Sequence, residues 1–223
     1  GYADFLMIPH PRYLFDIGDL PPEKVAPLAC SGITTFGALK KAGAIIKHEP
    51  LVIIGAGGLG LMCVALNAMM GNTPPIVVDI DPVKREAAKK AGALATVDGN
   101  APDAAQQIIK LTNGGAWAVV DFVGASSTVQ LGVDSITKGG KVIVVGLFGG
   151  DITISTPFFP MRAMGIQGSY VGSLPEMKEL FDLVRAKGLP PVPLTTRPLE
   201  DATSALNDLR AGKVVGRVVL MPE

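Results

Sequence analysis

The residues best suited to chemistry in this sequence form a glycine-rich run, Gly55-Ala56-Gly57-Gly58-Leu59-Gly60. The run fits the pattern GxGxxG, follows a short apolar segment and opens a helical one, which is the context in which this pattern is informative. The first glycine allows a tight turn, the second lets the backbone approach a pyrophosphate, and the third lets helix and strand pack closely. Amides at the helix start then hold the anion, so the run predicts a dinucleotide site.

An acidic residue, Asp79, ends the next predicted strand, 19 residues after Gly60. A carboxylate at this position accepts hydrogen bonds from the adenosine ribose and repels a 2′-phosphate, so we expect NAD rather than NADP. Arg85 is close enough in the sequence to complicate that discrimination. Two other interpretations stay open here: a plain strand–turn–helix with Asp79 as a helix cap, and a methyltransferase with a similar glycine loop.

Two cysteines and two histidines give little material for a metal centre or a Ser/His/Asp group. Composition favours Cys30 and Cys63 as core residues, and we expect His10 and His48 at the solvated surface. So few cysteines exclude a disulfide scaffold and suit a reducing compartment, so we expect a cytoplasmic protein.

The length predicts either one large domain or one domain plus an incomplete second. The chain has 223 residues, of which 48% are hydrophobic, against roughly 150 residues per domain. Its 20 basic and 20 acidic residues form no basic block, which argues against a nucleic-acid partner. Residues 51–78 carry no charge, but glycines, asparagines and prolines interrupt them. We interpret that stretch as strand, turn, buried helix and strand, and expect no membrane partner.

The elements that must position these residues alternate between apolar runs and helical patterns, which predicts an α/β fold with a doubly wound parallel sheet. The predicted strands are 51–54, 76–79, 94–97, 118–122, 141–146 and 166–170, and the helices between them are 59–70, 82–92, 103–111 and 127–137.

Both flanks depart from this alternation. Residues 1–18 are aromatic and proline-rich with strand-like pieces, and 22–42 are helical with a break near Pro27. After the sheet, Ser173-Leu174-Pro175-Glu176 resembles a capping box before a helix at 177–187. A stiff proline-rich connection at 190–193, a helix at 200–211 and a strand at 216–221 complete the chain. We interpret the flanks as parts of a second domain that the first one splits in sequence.

Six motifs follow one another along the chain: Pro27-Leu-Ala-Cys-Ser-Gly-Ile-Thr-Thr, the glycine run at 55–60, Val77-Val-Asp-Ile-Asp, Ala91-Gly-Ala, Asp121-Phe-Val-Gly and Gly212-Lys-Val-Val-Gly-Arg-Val-Val-Leu. As a set they resemble medium-chain, zinc-dependent alcohol dehydrogenases. The resemblance implies a Rossmann domain at 31–189, flanked by remnants of a GroES-like β-barrel catalytic domain at 1–30 and 190–223.

The resemblance also implies roles for single residues. Cys30 would be a catalytic zinc ligand, which reverses its interpretation as a core residue, and Thr34 would pack near the nicotinamide. Residues 57–59 would face the pyrophosphate, and Arg217 would close on it. The other implied contacts are Lys84 at the adenosine ribose, Ile80, Phe122 and Val123 along the adenine, and Val145, Leu147, Ser169 and Val171 along the nicotinamide.

The implied activity is hydride transfer between an alcohol and NAD, with zinc as the Lewis acid at the alcohol oxygen. The partners implied are a small alcohol or carbonyl substrate and further copies of the chain in a homo-oligomer. The family's other zinc ligands, in an upstream cysteine segment and a Gly-His-Glu motif, do not occur in this sequence. We therefore expect a chain corresponding to the C-terminal two-thirds of such an enzyme, which binds NAD but lacks zinc and activity. Two alternatives remain: a zinc-free quinone or enoyl reductase of the same superfamily, against which Cys30 and Asp79 argue, and a non-catalytic NAD-binding module.

Overall fold

A parallel sheet of six strands forms the centre of the computed structural model, which describes residues 2–222. The strands are β1 (Val52–Ile54), β2 (Ile76–Asp79), β3 (Ala95–Asp98), β4 (Ala116–Asp121), β5 (Ile136–Val144) and β6 (Gly165–Gly168). Their order in the sheet is β3-β2-β1-β4-β5-β6. The chain reverses direction across the sheet between β1 and β4, and ligands of such sheets bind at the carboxyl ends of the strands beside that point. The predicted α/β class is confirmed.

Helices cover both faces of this sheet. They are α1 (Pro22–Val25), α2 (Ser31–Ala42), α3 (Gly58–Met69), α4 (Pro82–Lys90), α5 (Ala104–Leu111), α6 (Ser126–Ser135), α7 (Phe158–Arg162), α8 (Leu174–Lys187) and α9 (Ala202–Arg210). No helix among residues 2–222 combines the length and apolar character that a bilayer crossing needs.

The strands are buried on both faces because their side chains alternate between two apolar clusters. Ile53 and Val120 point into one cluster with residues of α2, α3 and α8. Val52 and Val119 point into the other, with residues of α5 and α6. Side chains along a strand alternate between faces, so a run of branched apolar residues is the pattern of a sheet covered on both sides.

One predicted boundary is wrong because a glycine pair lies inside a strand. The helix expected at 127–137 ends at Ser135, and β5 begins at Ile136 rather than at 141. Gly139 has a φ of +85°, and a Cβ on Gly140 would lie 2.7 Å from the carbonyl oxygen of Ala116. The pairing between β4 and β5 shifts register at this point. Glycines in a strand often mark such an irregularity, where two backbones approach closely.

The strand-like pieces expected in the first eighteen residues do not form strands within residues 2–18. That segment contains a short 3₁₀ turn at Pro11–Tyr13, and Phe5, Leu6 and Met7 are exposed. A strand is stable only when it pairs with a neighbour, and this segment pairs with none in the described chain. Gly1 lies outside the described residues.

A strand that the sequence did not predict follows the proline-rich connection. Strand β7 (Leu194–Pro198) pairs in parallel with β8 (Arg217–Met221) in a separate two-stranded sheet. Pro193 precedes the strand and Pro198 is its last residue. These two prolines hid the strand pattern because proline is typical of turns and strand edges. The domain boundaries at residues 30 and 189 stay predictions.

Candidate functional site

The glycine run forms the turn between β1 and α3, at the carboxyl edge of the sheet. Gly55 has a φ of +93°, a conformation that glycine adopts at little cost. Gly57 has open space where a Cβ would be, with no atom within 4 Å. A Cβ on Gly60 would overlap the carbonyl oxygen of Gly55. The turn therefore has the geometry that the predicted roles require: a left-handed residue, an open backbone position and a close helix–strand contact.

The amino end of α3 faces this open position and meets the chain returning from β8. Gly57 is the N-cap residue, and no side chain caps the helix, so its first amide groups are available to an acceptor. A Cβ on Gly58 would lie 2.7 Å from the carbonyl oxygen of Gly216 and 2.8 Å from Nε of Arg217. Gly58 is therefore needed for the approach of the returning strand, a contact that sequence reasoning missed.

Arg217 brings a half-buried cation, whose Nε is buried and unpaired among the described residues, to the amino end of α3. Its Nε is buried and has no hydrogen-bond partner among the described residues. Burial lowers the pKa of Arg217, and the electrostatic influence of nearby Cys30 opposes that shift. A buried donor without an acceptor needs an explanation. An anion bound between Arg217 and the helix amides would supply the acceptor.

Asp79 is the last residue of β2 and lies beside the glycine turn. Its carboxylate accepts hydrogen bonds from that turn and from the turn that follows β2. Its Oδ2 accepts a hydrogen bond from the backbone N–H of Ala56 at 2.7 Å, and its Oδ1 accepts one from that of Asp81 at 2.9 Å. Each carboxylate oxygen can accept a further bond, so Asp79 can still receive ribose hydroxyls. Sequence reasoning predicted that role but not the positioning of the turn by the same side chain.

A cleft of about 450 Å³ opens at this edge. Four predicted contact residues line it: Asp79, Ile80, Lys84 and Val123. Phe122 instead packs against the core beneath Gly55. Apolar walls with a few polar groups at fixed positions are typical of a small-ligand site.

Asp121 shapes the wall of the cleft from the carboxyl end of β4. It is fully buried. Its Oδ1 accepts the backbone N–H groups of Val123 and Gly124 at 2.8 and 3.1 Å, and its Oδ2 accepts the Thr128 hydroxyl at 2.7 Å. Sequence reasoning assigned Asp121 no role of its own, although an Asp at a strand end followed by a glycine is a turn signal.

The residues expected along the nicotinamide lie at the carboxyl ends of β5 and β6. Val145 is buried, whereas Leu147 is 81% exposed. The hydroxyl of Ser169 receives a hydrogen bond from Nζ of Lys41 at 3.0 Å. Val171 has a φ of +47°, which is strained for a branched side chain. Such strain persists only where the surroundings hold it, and it clusters at functional positions.

Cys30 and Thr34 lie one helical turn apart at the start of α2. Cys30 is exposed, and Thr34 is buried. Within residues 2–222, no group of three His, Cys, Asp or Glu side chains comes together as a metal site. A catalytic zinc ion takes three protein ligands, so the donors present here do not by themselves fit one. Cys63 is buried in the core as predicted, and burial raises the pKa of its thiol.

Several of the known proteins that this chain resembles are dehydrogenases. Residues 58–186 match the family described as zinc-binding dehydrogenase. The chain is 35% identical to an NAD-dependent alcohol dehydrogenase of Sulfurisphaera tokodaii and 30% identical to a D-arabinose 1-dehydrogenase (NADP(+)) of Saccharolobus solfataricus; each match covers 100% of this chain and 64% of the relative. The crystal structure of an alcohol dehydrogenase from Aeropyrum pernix superposes with a TM-score of 0.83 at 32% identity, over 92% of this chain and 60% of that one. The chain thus spans 64% of the length of these two relatives.

Proposed function

This chain belongs to the zinc-binding dehydrogenase family, and we propose that it is the NAD-binding part of an enzyme that transfers a hydride between an alcohol and its aldehyde or ketone. The resemblance predicted from the six motifs is confirmed for the family and the fold. The observation that carries the proposal is the buried Nε of Arg217, which lacks a partner among the described residues beside an uncapped helix start. A pyrophosphate would give both groups their acceptor.

In this proposal each part of the cofactor meets a different strand end. The pyrophosphate lies on the amides of residues 57–59, where Gly57 leaves room, and Arg217 closes over it. The ribose hydroxyls bond to Asp79 and Lys84. In the same cleft, Ile80 and Val123 form the wall against which the adenine packs. The proposed nicotinamide contacts are Thr34, Val145, Leu147, Ser169 and Val171. Bound NAD would supply the hydride acceptor, and these residues would fix its orientation.

Zinc enters the proposal through Cys30 alone. One thiolate is not a zinc site, so we derive no step through the metal from these residues. This donor set also favours a second candidate function, a chain that binds NAD without oxidising alcohols. Both candidate functions use the same nucleotide site. They differ only in whether an alcohol is oxidised next to Cys30 and Thr34.

We also propose a small alcohol or carbonyl substrate, a cytoplasmic location in keeping with the two free thiols, and a homo-oligomer. Strand β6 lies at an edge of the sheet, and the neighbouring α7 exposes Phe158 and Met161. An open strand edge beside apolar side chains favours association. Light scattering at micromolar concentration tests this, with a dimer or larger species expected and a monomer contradicting it.

Calorimetric titration with NAD and NADP tests the nucleotide proposal. We expect tighter binding of NAD because Asp79 would face a 2′-phosphate, and equal or tighter binding of NADP would contradict this. Asp79→Asn keeps one oxygen for the turn amides but removes the charge. Since a hydrogen bond to a charged group contributes about 1.5–3 kcal/mol, this variant should narrow the preference by roughly tenfold or more.

A further inference from the structure

We propose that the ion pair between Arg85 and Asp98 is a second determinant of cofactor identity. Asp98 pairs with the guanidinium of Arg85 and holds it against the backbone carbonyl of Asp79, so that Arg85 is not available to a 2′-phosphate. The inference rests on the proposed binding of NAD. It adds a second reason for the preference over NADP: Asp79 repels the 2′-phosphate, and the nearby Arg85 does not bind it because Arg85 is paired with Asp98.

The geometry places Arg85 directly behind Asp79. Its Nη1 donates to the backbone carbonyl of Asp79 at 2.8 Å, and its Nη2 lies 3.1 Å from Oδ2 of Asp98. The Arg85 side chain is 20% exposed, whereas that of Asp98 is 42% exposed. Both ends of the guanidinium are therefore occupied, one by a carbonyl and one by a carboxylate.

Asp98 is itself held in place by the sheet and by its own turn. It is the register partner of Asp79 across β2 and β3. Its Oδ1 accepts the backbone N–H of Asn100 at 2.9 Å, and the N–H of Gly99 donates to the same Asp79 carbonyl that Arg85 uses. Gly99 and Asn100 line the cleft, so the residues that directly follow Asp98 border the space proposed for the ribose.

The chemistry of the two charges explains why this matters for the cofactor. An arginine near the ribose is the usual partner of a 2′-phosphate, and a carboxylate is the usual partner of a free 2′-hydroxyl. Both residue types occur here, Asp79 in the lining of the cleft and Arg85 in contact with the Asp79 carbonyl, so the sequence alone does not decide between the two cofactors. The guanidinium bonds bidentately to phosphate as well as to carboxylate. Loss of the Asp98 charge would leave Nη2 available to a phosphate.

The central experiment measures the ratio of the dissociation constants for NADP and NAD by calorimetry. Asp98→Asn removes the charge but keeps Oδ1 for the Asn100 amide. We expect the ratio to fall by about tenfold in this variant, because a charged hydrogen bond becomes available to the 2′-phosphate. A second titration compares the dissociation constants of 2′,5′-ADP and 5′-ADP, and so measures the contribution of the 2′-phosphate without the nicotinamide half of the cofactor.

Glu86→Gln is the matched control. It removes one negative charge, as Asp98→Asn does, and it lies on α4, the helix that carries Arg85. Glu86 is exposed, however, and pairs with Lys90 at 3.9 Å rather than with Arg85. We expect its ratio to change less than twofold. The double variant Asp98→Asn/Arg85→Gln should restore the wild-type ratio.

Four outcomes overturn the inference. These are an unchanged ratio in a folded Asp98→Asn protein, an equal fall in Glu86→Gln, a fall that persists in the double variant, or a strong loss of NADP binding in Arg85→Gln alone. The last result would mean that Arg85 already contacts the phosphate in the wild-type protein. This test remains informative even if the Asp98→Asn protein does not fold. Failure of the wild-type chain to bind NAD would instead overturn the proposed function, and the inference with it.

Discussion

The proposed site has two halves, a nucleotide half around the glycine turn and a catalytic half around Cys30 and Thr34, and the described chain builds them to different extents. In the nucleotide half, Asp79 fixes the glycine turn, and Arg217 brings a buried donor to the start of α3. In the catalytic half, Cys30 is exposed at the start of α2, and no further metal donors join it within residues 2–222.

The difference follows from how each half is assembled. A turn between a buried strand and a helix places its amides through local sequence and sheet order, so the glycine turn of the nucleotide half forms wherever the sheet forms. Arg217 is the one part of that half described above that comes from a distant segment. A metal centre needs side chains from separate segments at fixed distances. The two halves should therefore respond differently to the same perturbations.

The largest expected contrast lies between metal content and nucleotide binding. We predict that the purified 223-residue chain contains less than about one-tenth equivalent of zinc and oxidises no simple alcohol, while it binds NAD, because three protein ligands hold a catalytic zinc. Mass-spectrometric metal analysis and NADH absorbance measure this. Stoichiometric zinc that disappears in Cys30→Ser would show that the catalytic half assembles after all.

Two glycines of one turn give the next contrast. Gly60→Ala places a Cβ against the carbonyl of Gly55, so we expect the free energy of unfolding to fall by about 1–3 kcal/mol and NAD binding to be lost. Gly57→Ala meets open space, and its φ of −71° suits alanine.

Gly57→Ala should therefore cost less than about 1 kcal/mol of stability, mainly as a poorer cap, yet weaken NAD because its methyl group enters the pyrophosphate position. Urea unfolding and calorimetry separate the two effects. Equal losses of stability in both variants would contradict the assignment of Gly57 to the ligand.

The same local-versus-distant distinction decides what the sequence could predict. Strand β2, the break near Pro27 and the capping box at Ser173 are confirmed because each depends on neighbouring residues. The contact of Arg217 with Gly58 joins distant segments, and no local pattern contains it. Gly139 and Gly140 misled the prediction because glycine ends helices as readily as it permits a strand irregularity.

Arg217→Met tests whether the buried guanidinium serves the ligand rather than the fold. We expect NAD to bind roughly 10–100-fold more weakly, since a hydrogen bond to a charged group contributes about 1.5–3 kcal/mol. The free energy of unfolding should stay constant or rise, because an apolar side chain removes an unsatisfied buried donor. Arg210→Met, an exposed site with the same charge change, is the control. A clear loss of stability in Arg217→Met would identify a structural role.

The smallest effect concerns the capping box of α8, which follows the strained Val171 in the catalytic half. Hydrogen bonds from the backbone N–H and then the hydroxyl of Ser173 lower the pKa of Glu176. A lowered pKa means that the Glu176 carboxylate stabilises the fold above the usual glutamate pKa of about 4.3, and that this stabilisation is lost as the pH falls through the lower folded-state value. Ser173→Ala should therefore cost about 1 kcal/mol at pH 7 and less once the pH falls below the lowered folded-state pKa of Glu176, where the carboxylate is protonated.

Thermal unfolding from pH 7 to pH 3 measures this difference, with Ser204→Ala, an exposed serine outside any capping box, as the control. Binding of 5′-ADP should be unchanged in Ser173→Ala, because the nucleotide half does not depend on this segment. NAD should bind more weakly, because Val171 lies two residues before the box at the proposed nicotinamide position. If the loss of stability in Ser173→Ala is the same at every pH, the ionised Glu176 carboxylate does not contribute to the effect. Weaker 5′-ADP binding would show that the two halves are coupled through α8.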